Sequence, residues 1–119
     1  GPNGPVVSRA TFEMMTRDQL ASASPRTAID PRDSHYYLPG PGYGFGYGFA
    51  VRTGDGREPG TIGDFWWGGY GGTSFWVDPA EKMAVVFMVD APALRRHFRR
   101  WLRQNVYTAI VRIHVPSRN

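Results

Sequence analysis

Apolar and polar positions recur with two periods along the chain, and each stretch predicts an element. Residues 8–20 carry Phe12, Met15 and Leu20 as a partial helical stripe, with Ser8 in the N-cap position. Residues 43–53 alternate strictly. Tyr43, Phe45, Tyr47, Phe49 and Val51 fall on one side; Gly44, Gly46, Gly48 and Ala50 fall on the other. A period of two predicts a single strand with an aromatic face and a nearly bare one. A bare face lets another backbone or a helix come close. Further strands are expected over residues 64–69, 73–77 and 83–89. The last of these is apolar throughout, which predicts burial on both faces. Gly54-Asp55-Gly56 predicts a turn, and Asp78-Pro79-Ala80-Glu81 a type I turn with Pro second.

From residue 93 to 110 the period changes to that of a helix. Leu94, Phe98, Trp101, Leu102, Ala109 and Ile110 recur at spacings that predict a broad apolar stripe, with Asp90 as cap and Pro92 in the first turn. Arg96, Arg99, Arg100 and Arg103 then fall on the opposite, solvated face. Residues 21–42 read as a loop, punctuated by Pro25, Pro31, Pro39 and Pro41. A loop of that length is long for a compact domain and points to a functional or wrapping role. The expected class is α+β: an antiparallel sheet meander flanked by helices, the last helix covering one sheet face.

Composition narrows the chemistry. The 119 residues fit one small domain at most, and a 14% aromatic share supplies material for its core. Cysteine is absent, which removes disulfides, thiolate metal sites and cysteine nucleophiles. The longest apolar run, residues 83–89, is far short of the roughly 18–20 residues of a membrane span. The net charge of +4 hides an asymmetry: residues 1–90 hold seven basic and ten acidic side chains, whereas residues 91–119 hold seven arginines and no acid. A basic end invites a nucleic-acid reading. A core-packing helix with a solvated arginine face accounts for the same charges without that partner. The chain opens on Gly1-Pro2-Asn3-Gly4-Pro5 rather than Met, which reads as a cut end or a cloning scar.

Several motifs fail on spacing. Every glycine from 40 to 48 sits at an even position, so G-x-G-x-x-G cannot occur there. His35, His97 and His114 stand singly, without zinc-ligand spacing, and neither a metal nor a cofactor is expected. No G-x-S-x-G elbow surrounds Ser74. One segment, residues 63–79, is distinctive. Two glycines follow the indole of Trp67, so a ligand can lie against the main chain and pair with its N–H and C=O groups. A tight β-connection with aromatic packing accounts for the same pattern.

In order, the chain carries the 8–20 helix, Tyr43-Gly44-Phe45-Gly46-Tyr47-Gly48-Phe49, Trp67-Gly68-Gly69, a strand from Gly72-Thr73 to Asp78-Pro79, the 83–89 strand and a closing helix. This order resembles the C-terminal part of serine hydrolases of the β-lactamase and penicillin-binding-protein type, above all class C β-lactamases and family VIII esterases. The family's third motif, Lys-Thr-Gly, lines the cleft; esterase-like members often have Trp-Gly-Gly there. The resemblance therefore implies that Trp67, Gly68, Gly69 and Tyr70 line the substrate site. Tyr70 would contribute its main-chain N–H to the oxyanion hole. Replacing the lysine by Trp67 removes a cation for a substrate carboxylate and offers an apolar wall with one N–H.

The departures are as informative. The family nucleophile lies in Ser-x-x-Lys, whose lysine helps to activate the serine. The only lysine is Lys82, and Pro79 stands three places before it. The second motif is also expected to be missing: no Tyr is followed two places on by Asn. The resemblance thus implies that residues 1–119 are the C-terminal segment of a β-lactamase-related domain, lacking the nucleophile and the helical region. It would carry no catalytic side chain of its own and be inactive alone. Its partners would be an ester or amide substrate once complete and the missing N-terminal part of the same domain, with self-association through an open sheet edge. Neither nucleic acid nor a membrane span is expected. The alternative is a non-enzymatic module that binds a partner through the aromatic Gly-rich strand or the Arg-rich helix.

Overall fold

Ser8 starts the first helix as its type dictates. Its Oγ accepts the Thr11 N–H at 3.1 Å, which satisfies one of the helix's unpaired amides. In the computed structural model, which describes residues 4–20 and 40–113 and the side chains as far as Ile110, helix α1 spans Arg9–Met15. It is shorter than expected, because the chain after it is used differently. The Gln19 N–H donates to the Phe45 C=O at 2.8 Å, and the Tyr47 N–H to the Met15 C=O at 3.0 Å. Asp18 Oδ1 accepts the Leu20 and Phe45 amides at 3.1 and 3.0 Å. The segment following α1 therefore lies against residues 44–47. A side chain at Gly44 would collide with the Asp18 carboxyl, and one at Gly46 with the Met15 carbonyl. The bare positions do admit a neighbouring backbone.

They also reverse the chain. Residues 43–53 form a hairpin, not the single strand expected. Strand β1 (Tyr43–Phe45) pairs antiparallel with β2 (Ala50–Arg52), Tyr43 opposite Arg52 and Phe45 opposite Ala50. The Gly46 N–H closes the turn on the Phe49 C=O at 2.8 Å, with Gly48 at φ +96°. The period of two is common to a strand and to both arms of a hairpin; only the positive φ open to glycine decides where the reversal falls.

Strands β3 (Phe65–Gly68), β4 (Ser74–Asp78) and β5 (Met83–Phe87) complete one antiparallel sheet in the order β1-β2-β3-β4-β5. The meander and the α+β class stand as expected. Strand β5 corrects one expectation. It lies at an edge, its residues alternate between half-buried and exposed, and Val86 is 71% exposed. Its apolar residues lie on both faces, but among the described residues only the face toward the last helix is covered there. Asp90 also does not cap that helix. A 3₁₀ turn, Pro92–Leu94, precedes α2 (Arg95–Ile113), and its N-cap is Ala91, which has no side-chain bond.

The larger correction concerns the face that α2 turns to the sheet. Tyr107 stacks on Trp76 at 6.3 Å, Phe98 meets Phe87 at 6.2 Å, and Arg103 is 8% exposed. Trp101 and Leu94, expected inside, are 51% and 53% exposed. Arg103 packs inward because partners await it there: two indoles and a buried carboxylate. Guanidinium groups stack on indole faces, and their aliphatic stems bury readily. The fully buried side chains accordingly mix Tyr43, Val51, Phe65 and Trp76 with Arg52, Asp64 and Asp78.

Asp78 anchors the turn after β4. Its Oδ1 accepts the Thr61 hydroxyl at 2.5 Å and the Ala80 and Glu81 amides at 3.1 and 3.2 Å; its Oδ2 accepts the Tyr107 hydroxyl at 2.6 Å. Burial works to raise this carboxyl, but the bonds from Thr61, Tyr107 and the Glu81 and Thr61 backbone outweigh it and hold it below its ordinary value. Its stabilising contribution is therefore present above the unfolded aspartate value, about 3.9, and is lost as pH falls through the folded value. Asp78→Asn should cost about 1–3 kcal/mol at neutral pH and lose less than the parent below about pH 4, as read by urea unfolding at both pH values.

Candidate active-site wall

The site is built at the end of β3. This strand pairs with β4 along all of its residues, but with β2 only at Phe65 and Trp66. Trp67 and Gly68 therefore run past β2, and among the described residues no strand covers their outer edge. Main-chain groups alternate sides along a strand. The Gly69 N–H donates to the Thr73 C=O at 2.8 Å, so it faces β4, and the Gly68 main chain faces the open edge.

The chain then turns. The Gly72 N–H donates to the Gly69 C=O at 3.2 Å, which puts Tyr70 second in a four-residue turn. The Gly69 C=O and Tyr70 N–H belong to one trans peptide unit and point opposite ways. The carbonyl points into the turn, so the Tyr70 N–H points away from β4, on the same side as Gly68. The four residues singled out from sequence thus come together on one strand end. Gly68 and Tyr70 contribute main chain toward the open edge. The Trp67 ring stands edge-on to Phe45 at 5.2 Å and forms a wall. The Tyr70 ring is 76% exposed, with the Arg95 guanidinium 5.0 Å from its centroid.

Packing beneath the site explains the paired glycines in a way the motif alone does not. A side chain at Gly68 would collide with the Arg99 guanidinium, and one at Gly69 with the Thr73 hydroxyl. Arg99 Nη2 donates to the Gly69 C=O at 2.6 Å and the Thr73 C=O at 3.1 Å. Burial, with Arg95 nearby, pulls the Arg99 guanidinium below its ordinary value. Sequence reasoning placed Arg99 in solvent. The usable signal was its spacing of four from Arg103, which puts both on one side of α2.

A second polar centre supports β3 from below. Asp64 Oδ2 accepts Arg52 Nε at 3.0 Å and also bonds Arg103 Nη2. Burial pushes this carboxyl upward, and Arg103 and then Arg52 pull it back. Arg103 Nε donates to the Pro59 C=O at 2.6 Å, and its guanidinium lies 5.5 Å from the Trp66 ring and 5.3 Å from that of Trp76. Arg100 pairs with Glu58 at 3.2 Å. Arg96, Arg99, Arg100 and Arg103 line a pocket of about 90 Å³ with Trp66 and Trp76; Arg100 keeps the exposure expected of it, whereas Arg103 is buried.

The described serines offer no activated nucleophile. Ser8 caps α1, and Ser74 opens β4, whereas Lys82 lies in the turn past the other end of that strand. One Ser-x-Asn triplet does occur, Ser117-Arg118-Asn119; it follows Trp67-Gly68-Gly69 in the chain and lies outside the described residues. His35, His114 and most of the 21–42 loop also lie outside them. Among the described residues no helix is long and apolar enough to cross a membrane.

Curated proteins provide no match to the chain. The family model described as Beta-lactamase matches residues 8–108, from the cap of α1 through all five strands into α2. The matched region contains the Trp67-Gly68-Gly69 strand end and the turn that follows it, and the chain belongs to the β-lactamase family.

Proposed function

We propose that the chain supplies one wall of the acyl site of a β-lactamase-family serine hydrolase that cleaves an ester or amide through an acyl-enzyme. The observation that carries this reading is the uncovered β3 end, where the Gly68 main chain and the Tyr70 N–H face one side next to Trp67. A donor so placed would stabilise the charge that develops on a substrate carbonyl oxygen. Trp67 in place of a cation favours an ester-like substrate without a carboxylate. The nucleophile and its base would come from sequence beyond these residues, since no Ser-x-x-Lys is present. The part that carries them would dock on the sheet face opposite α2 and along the β5 edge, where Phe12, Val86 and Met88 are 44%, 71% and 76% exposed, with the nucleophile reaching the β3 end. Left uncovered, the same edge would favour self-association. The alternative of a binding module keeps an exposed aromatic at the hairpin tip, Tyr47, but part of its arginine surface is used inside the fold. The bare positions of the Gly-rich hairpin are filled by residues 15–18, and Arg99 and Arg103 turn inward. A serine-directed fluorophosphonate probe should leave the chain unlabelled by itself; labelling would overturn the claim that the nucleophile lies elsewhere.

A further inference from the structure

We infer that Arg99 is a positioning residue for the Tyr70 N–H, an inference that rests on the acyl-site reading above. One peptide unit joins Gly69 to Tyr70. The unit is planar and trans, so whatever fixes its carbonyl fixes the opposite direction of its N–H. The Gly69 carbonyl is held twice, by the Gly72 N–H at 3.2 Å and by Arg99 Nη2 at 2.6 Å. The first bond is long and belongs to a turn of residues 69–72 that contains three glycines, which resist rotation weakly. The second is short and charge-assisted, and therefore the stronger of the two. The same Nη2 reaches the Thr73 carbonyl at 3.1 Å. One guanidinium thus clamps both ends of the β3–β4 turn from the α2 side, leaving the opposite side for substrate.

The contact has an electronic consequence as well as a geometric one. A cation on a carbonyl oxygen draws charge through the amide and makes its N–H a better donor. Arg99 would then strengthen the Tyr70 N–H while aiming it, without touching the substrate. A side chain at position 68 would displace the guanidinium from this position. A second cation, Arg95, stands over the Tyr70 ring at 5.0 Å and adds to the positive potential around the turn.

The test compares Arg99→Met with Arg99→Lys, which keeps the charge but only a single donor head. In the chain itself, the carbonyl carbon resonances of Gly69 and Thr73 and the amide nitrogen of Tyr70 should shift in Arg99→Met and return part of the way in Arg99→Lys. Shifts spread evenly over the sheet would reduce Arg99 to a packing residue and overturn the proposal. The chain is then joined to a Ser-x-x-Lys-bearing N-terminal part of a family member and assayed on a short-chain nitrophenyl ester. Arg99→Met should lower kcat by about tenfold, a fraction of the 10²–10³ lost with an oxyanion donor, and leave KM nearly unchanged. An unchanged kcat overturns the positioning role alone. A joined wild-type domain that folds but does not turn over removes the acyl-site reading and the role that rests on it, whatever the resonances show.

Discussion

Asp64→Ala is expected to lower the stability of the fold by about 3–5 kcal/mol, the cost of removing one partner from a buried ion pair. Asp64 is 0% exposed and bridges Arg52, on β2, to Arg103, on α2. Its removal leaves two guanidiniums among Trp66, Trp76 and Tyr43 with one carboxylate fewer. Their remaining bonds go to backbone carbonyls of Glu58 and Pro59, which carry no net charge to offset them. Asp64→Asn keeps the shape and one acceptor and should cost less than Asp64→Ala. Chemical denaturation measures both. Equal and small losses would mean that the arginines are solvated and that α2 does not pack as described.

The second large effect concerns the rate. In a joined domain with a competent nucleophile, Tyr70→Pro should reduce kcat by about 10²–10³, the usual cost of deleting an oxyanion-hole donor. Proline suits the second position of the turn, so the substitution removes the N–H while the backbone keeps its path. Tyr70→Ala retains the N–H and removes a ring that is already 76% exposed, so it should stay near the parental rate. A similar loss in both variants would assign the effect to the ring and remove the backbone role.

The sheet was legible from its strand signals because alternation and turn residues act locally. Residues 64–69 and 73–77 were expected within a residue or two of β3 and β4, and Ser8 and the Asp78 turn were read from chemistry alone. The readings that failed have separate physical causes. The 43–53 segment folds back on itself at a local turn, closed by the Gly46 N–H on the Phe49 C=O with Gly48 at positive φ, which a period of two does not reveal. Strand β5 is exposed on one side because nothing among the described residues covers that side. On α2, Phe98 packs on Phe87 as expected, but Arg103 turns inward because it has Asp64 and two indoles beneath it. Counting arginine as polar cannot reveal that the sheet holds a carboxylate 39 residues away. Trp67 to Tyr70 could be proposed as site residues from sequence because a motif names identities. The direction of each N–H, and the grip of Arg99 on the turn, required the register of β3 against β2 and β4.

The central claim is that this chain holds an acyl-site wall without its nucleophile. The most direct measurement is hydrolysis of a short-chain nitrophenyl ester by the chain alone and by the chain joined to an N-terminal part bearing Ser-x-x-Lys. The chain alone should show no turnover above background, and the joined domain should show turnover that falls with Tyr70→Pro. Turnover by the chain alone, or a folded joined domain whose rate is indifferent to Tyr70→Pro, would contradict the claim.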